Sequence, residues 1–247
     1  AYRPGRRGAR VTLLEKTRPA AGATGKSFAW INAHFSKQPR HYHLLSRLGV
    51  QTYRQLEYEI GAELPVLWGG TVEWYGDTVH ADELRRMIRQ QQEWGYPVRL
   101  IGSQEFQRLE ANVAPGKVAA AAFSELEGSV DATKATQVLL QRAQAAGAEI
   151  RYPCEVTGTE LRAAPPSVLK TTQGEVAAEA VVLACGVATP KLASLMGVQV
   201  PLQRSPGIVV HTPPQPRWIQ RVLVSAEAHF RQQADGRVVI GDDCGPP

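Results

Sequence analysis

Arg7-Gly-Ala-Arg-Val-Thr-Leu-Leu-Glu15-Lys16 is the stretch whose reading decides the fold. Within it, Val11-Thr-Leu-Leu-Glu15 is a short apolar run behind Gly8 and closed by a carboxylate. Such a run reads as a buried strand of a parallel sheet. An acid at the end of a strand in a dinucleotide-binding unit accepts hydrogen bonds from ribose hydroxyls, which makes Glu15 the first candidate. A solvated acid at a strand end is the plainer reading of the same residue. The Gly-rich turn that lets backbone amides approach a pyrophosphate is absent from Ala1-Tyr-Arg-Pro-Gly-Arg-Arg-Gly8.

Moving outward, Ala21-Gly-Ala-Thr-Gly-Lys-Ser27 lies in a small-residue loop over 19–36. Its amides, hydroxyls and Lys26 could receive an anion, or it could be an ordinary polar loop. Leu44, Leu45, Leu48, Tyr53, Leu56 and Ile60 follow helical spacing over 40–61, with Gly61 as a stop. A strand is expected over 67–75, a helix over 82–94 before Gly95, and a short helix from Ser103, which could cap it. Residues 118–123 read as a strand. Asp131 can cap a helix that runs to Ala146 and closes at Gly147.

Further strands are expected at 149–152, 155–159 and 168–172, and at the fully apolar Ala180-Val-Val-Leu-Ala184. The remainder reads as strands at 198–202, 207–211, 222–225 and 238–240, with Pro213-Pro214-Gln215-Pro216 as a rigid turn or loop. Helix and buried strand alternate at the start and middle, while 66–125 and 198–240 are richer in strands. The expectation is two interleaved domains, each built from discontinuous segments.

Composition narrows the classes. The chain has 247 residues, of which 43% are apolar and 21% charged, with a net charge of +5. These values exclude a collagen-like, disulfide-dense or largely disordered chain. No apolar run reaches the roughly 20 residues of a membrane-spanning helix. Cys154, Cys185 and Cys244 form neither a metal pattern nor a disulfide framework. That fits a reducing compartment, and the chain reads as cytoplasmic. Cys185, at an apolar strand end, reads as buried and inert. Residues 1–56 hold eleven basic residues against Glu15 alone, whereas the rest holds 17 against 22 acids. An anionic partner for the first quarter follows. No nucleic-acid motif accompanies that charge, so nucleic acid is not the expected partner.

The order of several motifs resembles the FAD-dependent D-amino-acid-oxidase-like family, which includes glycine, sarcosine and D-amino-acid oxidases and dehydrogenases. The resemblance rests on Arg7–Lys16, Gly22–Asn32, Glu127-Gly-Ser-Val-Asp131, Cys154-Glu-Val156, Val181-Val-Leu-Ala-Cys-Gly186 with Thr189-Pro190, and 230–241 around Asp235-Gly236. It implies an incomplete Rossmann-like α/β FAD-binding domain over 1–36 and 126–197. It implies a strand-rich α+β substrate domain over 37–125 and 198–247. FAD would be held by Glu15, Lys16, Ala23, Thr24, Gly25, Ser27, Val156, Ala184 and Gly186. Glu15 would take the adenosine ribose, Thr24 to Ser27 the pyrophosphate or flavin side, and the Val156 backbone the adenine region.

Arg231 would hold the substrate carboxylate with a bidentate guanidinium, with Gln233 as the alternative position and His34 and His229 as further pocket residues. The resemblance implies oxidation of an amine or amino acid by hydride transfer from the substrate α-carbon to flavin N5, giving an imine. Oxygen or an electron carrier would be the acceptor. Measured against that family, the chain reads as a fragment without the first strand, its Gly-rich loop and the last flavin-facing segment. A cofactor-free, non-catalytic remnant of the fold, a nucleic-acid module, and a flavin hydroxylase or nicotinamide-linked reductase are the competing readings.

Overall fold

The computed structural model describes residues 1–160, 167–203 and 205–242; Cys244 lies outside them. In chain order the helices are α1 (Tyr2–Arg6), α2 (Arg40–Ile60), α3 (Thr78–Glu93), α4 (Ser103–Leu109), α5 (Ala132–Ala145) and α6 (Thr189–Ser194). The strands are β1 (Thr12–Leu14), β2 (Trp30–Ile31), β3 (Val66–Trp68), β4 (Thr71–Tyr75), β5 (Val98–Ile101), β6 (Ala120–Ser124), β7 (Gly128–Val130) and β8 (Glu149–Arg151). They continue with β9 (Val156–Glu160), β10 (Ser167–Thr171), β11 (Gly174–Ala178), β12 (Ile208–Pro214), β13 (Val222–Val224), β14 (His229–Gln232) and β15 (Arg237–Asp242).

Two compact units result, one of residues 1–27 and 132–205 and one of 28–131 and 206–247. Segments 28–36 and 126–131, which the sequence groups with the first unit, belong to the second. In the first unit β1 pairs in parallel with β8, and β9, β10 and β11 form an antiparallel meander. The β1 strand is half-buried rather than buried. Pro4 and Gly5 both lie inside α1. Pro4 falls in the first turn, where a missing N–H costs nothing. A Cβ on Gly5 would stand 3.3 Å from the Ala146 carbonyl, so the glycine admits the end of α5.

In the second unit the seven-stranded sheet runs β12-β15-β14-β13-β4-β6-β5, and a small sheet runs β2-β7-β3. The expected 67–75 strand is two strands in different sheets. Gly70, at φ 86°, makes the break, because a Cβ there would fall 2.6 Å from the Phe123 ring and the Ser124 carbonyl. One face of the large sheet buries Val72, Ile101, Phe106, Ala121 and Leu223, with Trp74 and Phe230 packed against them. Strand alternation puts Thr71, Glu73 and Tyr75, together with His229 and Arg231, on the opposite face.

Other expectations require correction. Residues 180–184 form no strand: they have no pairing partner among the described residues, and Val182 is 87% exposed. Apolar composition proposes a strand, but hydrogen-bonded neighbours make one. Residues 198–202 also remain unpaired; Pro201 lacks a donor, and Val198 and Leu202 are exposed. Cys185 is exposed, while Cys154 is buried. Gly102, not Ser103, is the N-cap of α4. Pro213 and Pro214 end β12 rather than forming a loop. Strands β2, β5, β7, β11 and β14 had no clear sequence signal, being short or rich in small and polar residues.

Phe106 is fully buried in the core of the large sheet. Phe106→Ala is expected to destabilise the second unit by about 3–5 kcal/mol in urea denaturation, and a loss below about 1 kcal/mol would contradict this core assignment.

Candidate functional site

In the first unit, Glu15 stands at the C-terminal end of β1, the end of a parallel strand where α/β folds place ligands. Its backbone is fixed on both sides: its N–H donates to the Arg151 carbonyl (3.0 Å) and its carbonyl accepts from Cys154 N–H (2.7 Å). Oε1 accepts from the Thr17 amide (2.8 Å) and hydroxyl (3.2 Å), which leaves Oε2 without a partner among the described residues. Lys16 pairs with Glu155 at 2.8 Å, and Glu155 precedes Val156 of β9. The Glu155 carboxyl is held below its ordinary range by Lys16, with Lys191 of α6 adding to it. The structure therefore brings Glu15 and Lys16 to Cys154 and Glu155, the two residues that precede Val156.

Ala23, Thr24 and Gly25 lie in a 3-10 turn, Ala23–Lys26, that ends at Ser27. A Cβ on Gly25 would stand 2.3 Å from the Ala20 carbonyl and 3.6 Å from the Thr133 hydroxyl. Only glycine closes this loop, and it does so on the first turn of α5. Ala184 and Gly186 lie in an exposed segment outside any strand, with Gly186 at φ 55° opening a second 3-10 turn.

In the second unit, Arg231 is only 2% exposed. Its Nε donates to the Phe28 carbonyl, and the guanidinium carbon lies 5.5 Å from the centre of the Phe28 ring. Phe28 fits there because Gly241, on the neighbouring strand, has no side chain: a Cβ would lie 3.0 Å from the ring. Burial lowers the Arg231 pKa to about 10, with Asp131 and Asp235 opposing, so the side chain remains charged at neutral pH. No hydrogen bond fills its terminal nitrogens among the described residues. On the same face of β14, His229 packs against Phe28, Trp30 and Phe35 at ring distances of 6.0, 5.7 and 5.0 Å. Phe35 and His229 line a cavity of about 180 Å³ with Tyr75, His80 and Ser225. Gln233, the alternative to Arg231, sits in the β14–β15 turn.

His34 does not line that cavity. It is fully buried in a polar network that the sequence reading missed, although the chain order had drawn attention to Glu127. The Glu127 carboxylate accepts from the Ala33 amide (2.8 Å), the His34 amide (2.6 Å), the Tyr96 hydroxyl (3.0 Å) and the Thr71 hydroxyl (2.7 Å). Thr71 in turn accepts from the Trp30 indole at 3.0 Å. His34 Nε2 faces Glu73 Oε2 at 2.7 Å, and Nδ1 lies 2.8 Å from Gln91 Oε1. No alternation signal marked Glu73, because in Thr71-Val-Glu73-Trp-Tyr75 it falls on the face opposite the apolar Val72 and Trp74.

Burial is the largest influence on His34 and acts to lower its pKa. The Glu73 hydrogen bond and the Glu73 and Glu127 charges outweigh it and raise the value to about 9. A raised pKa in the folded state adds stability that is fully present below the unfolded value of 6.5 and is lost as pH rises through 9. Denaturant melts at stepped pH are expected to weaken from pH 7 to pH 10, and His34→Gln is expected to remove most of that slope. An unchanged slope in the variant would contradict a charged His34.

A model of the FAD dependent oxidoreductase family, DAO, matches residues 1–246. Mitochondrial dimethylglycine dehydrogenase of Homo sapiens is 24% identical over 237 residues, covering 92% of this chain and 27% of the relative. The Mus musculus protein of the same name is also 24% identical, over 96% of this chain and 28% of its own length. The chain thus spans little more than a quarter of these relatives. Glycine oxidase from Geobacillus kaustophilus superposes with a TM-score of 0.83 at 22% identity, over 100% of this chain and 68% of that one. L-proline dehydrogenase from P. horikoshii superposes with a TM-score of 0.86 at 22% identity, over 98% and 65%. The two structures share the fold, and the family match over almost every residue carries the assignment: the chain belongs to the FAD dependent oxidoreductase (DAO) family.

Proposed function

We propose that this chain is the FAD- and substrate-binding part of an oxidoreductase that acts on an amine or amino acid. Residues 1–27 and 132–205 hold FAD, and residues 28–131 and 206–247 hold the substrate. The observation that carries the reading is Arg231: a buried, charged guanidinium whose terminal nitrogens are unfilled among the described residues, over the Phe28 ring. A buried charge without an ion-pair partner is costly, and a substrate carboxylate is the natural group to complete it.

The donor set of the first unit fits FAD. Glu15 offers a carboxylate oxygen to ribose hydroxyls from a backbone locked into the β1–β8 pair. The hydroxyls and amides of Thr24 to Ser27, with Lys26, suit the pyrophosphate. Lys16 and Val156 adjoin Glu15, while Ala184 and Gly186 leave their backbone open to the cofactor. Bound FAD supplies two-electron oxidation of the substrate C–N bond, with oxygen or an electron carrier as final acceptor. Arg231 orients the substrate by its carboxylate, and Phe28 and Trp30 exclude water from its neighbourhood. The amine oxidations named in the relatives, of dimethylglycine, glycine and L-proline, support this chemistry.

A second reading, a chain of the same fold that does not retain FAD, draws on one observation: 180–186 is partly exposed and outside any sheet among the described residues. Equilibrium dialysis against FAD separates the two. FAD retention is expected, and Glu15→Ala is expected to weaken it about tenfold through loss of charge-assisted hydrogen bonds. No retention by the parent protein favours the second reading. In turnover assays Arg231→Lys is expected to raise KM for a carboxylate-bearing amine at least about tenfold, because a point charge replaces a planar fork. An unchanged KM would remove Arg231 from the substrate site.

A further inference from the structure

We infer that Tyr75 is a specificity-determining residue of the 180 Å³ cavity, selecting amines that carry an N–H, and that the buried Glu73–His34 ion pair is the device that positions it. The substrate class in this inference rests on the amine-oxidising reading above; the positioning of Tyr75 does not.

The protonation states follow from geometry. Gln91 Nε2 donates to the His34 carbonyl at 2.8 Å, which turns Gln91 Oε1 toward His34 Nδ1, also at 2.8 Å. Nδ1 therefore carries a proton. Nε2 stands 2.7 Å from Glu73 Oε2, and a carboxylate that close in a buried site favours a proton on Nε2 as well. The pair is imidazolium and carboxylate, 1% and 2% exposed at the side chains. The other oxygen of Glu73 lies 2.8 Å from the Tyr75 hydroxyl. An ionised carboxylate only accepts, so Tyr75 must donate its proton to it. Burial raises the Tyr75 pKa, with the Glu73 charge adding to it, and the phenol stays protonated across the working range.

Tyr75 lines the cavity opposite no lysine or arginine: the wall is Phe35, Tyr75, His80, His229 and the Ser225–Ala228 turn, ending at Asp242. His80 stacks on the Tyr75 ring at 5.3 Å and 22° and is itself tied to Asp77 at 2.7 Å, so the ring has little freedom. With its proton committed to Glu73, Tyr75 offers an occupant only oxygen lone pairs and a π face. Both favour a positively polarised amine over a carboxylate, and the lone pairs alone favour one that carries an N–H donor. Arg231, on the same face of the sheet two residues from His229, does not line this cavity, so the selection argued here concerns the amine end alone. A purely structural role would be served as well by apolar residues of similar volume, since a buried ion pair seldom adds net stability.

The test compares sarcosine, which has N–H, with trimethylglycine, which has none, by tryptophan fluorescence of the parent protein. Trp30 stacks on the cavity residue Phe35 at 5.5 Å and supplies the signal. Sarcosine is expected to bind at least about fivefold more tightly, and Tyr75→Phe is expected to abolish that preference. Glu73→Gln is expected to reduce it although Tyr75 is still present, an effect a merely structural Glu73 would not produce. If Glu73→Gln does not fold, Tyr75→Phe decides alone. Equal binding of both ligands, no binding of either, or a preference that survives in Tyr75→Phe overturns the inference. A Tyr75-dependent preference in a protein that proves unable to oxidise amines would leave the inference standing and remove the catalytic reading instead.

Discussion

The second unit is organised around one fully buried carboxylate. Glu127 sits just before β7, beyond the reach of water, and takes two backbone amides and two hydroxyls. A carboxylate removed from solvent must recover its lost hydration from donors, and each donor surrenders its own freedom in return. Those donors come from segments far apart in sequence: the turn at Ala33 and His34, Thr71 on β4, and Tyr96 ahead of β5. Glu127 thereby fixes the three together. Through Thr71 it also fixes the Trp30 indole, and with it the stack on Phe35.

A second acid, Glu73, lies on the same face of β4 as Thr71, and both carboxylates act on one imidazolium, His34. Like charges in one low-dielectric space are tolerated only with a cation among them, which is the reason His34 is held protonated. Gln91 of α3 closes the network from the helix side. Trp30 and Tyr75 are thus positioned by hydrogen bonds to Thr71 and Glu73, while the opposite face of the sheet carries the apolar core. A site held in this way is rigid in the sense that binding needs.

Much of this was legible in sequence, and the parts that were not share a cause. Helices with strong periodicity and glycine stops, such as α2 before Gly61 and α5 before Gly147, follow from local residues alone. The β1 strand with its terminal acid does too, and chain order singled out Arg231, which the structure places buried on β14. The break between β3 and β4 was hidden because it depends on Phe123 and Ser124 crowding Gly70 from another strand. The apolar 180–184 run misled because pairing is a property of neighbours rather than composition. His34 was expected at a pocket wall, yet it is a buried ion-pair partner; its role depends on Glu73, which lies 39 positions away in the chain.

In the proposed function, the first unit supplies donors for a dinucleotide, the second supplies a buried arginine for an amino-acid-like substrate, and both act in one redox step. The decisive measurement is anaerobic mixing of the FAD-loaded protein with a carboxylate-bearing secondary amine. Loss of the oxidised flavin absorbance is expected, one equivalent of flavin per substrate oxidised, with that loss much slowed in Arg231→Lys. A flavin spectrum that stays oxidised for every amine and amino acid tried would overturn the proposed function.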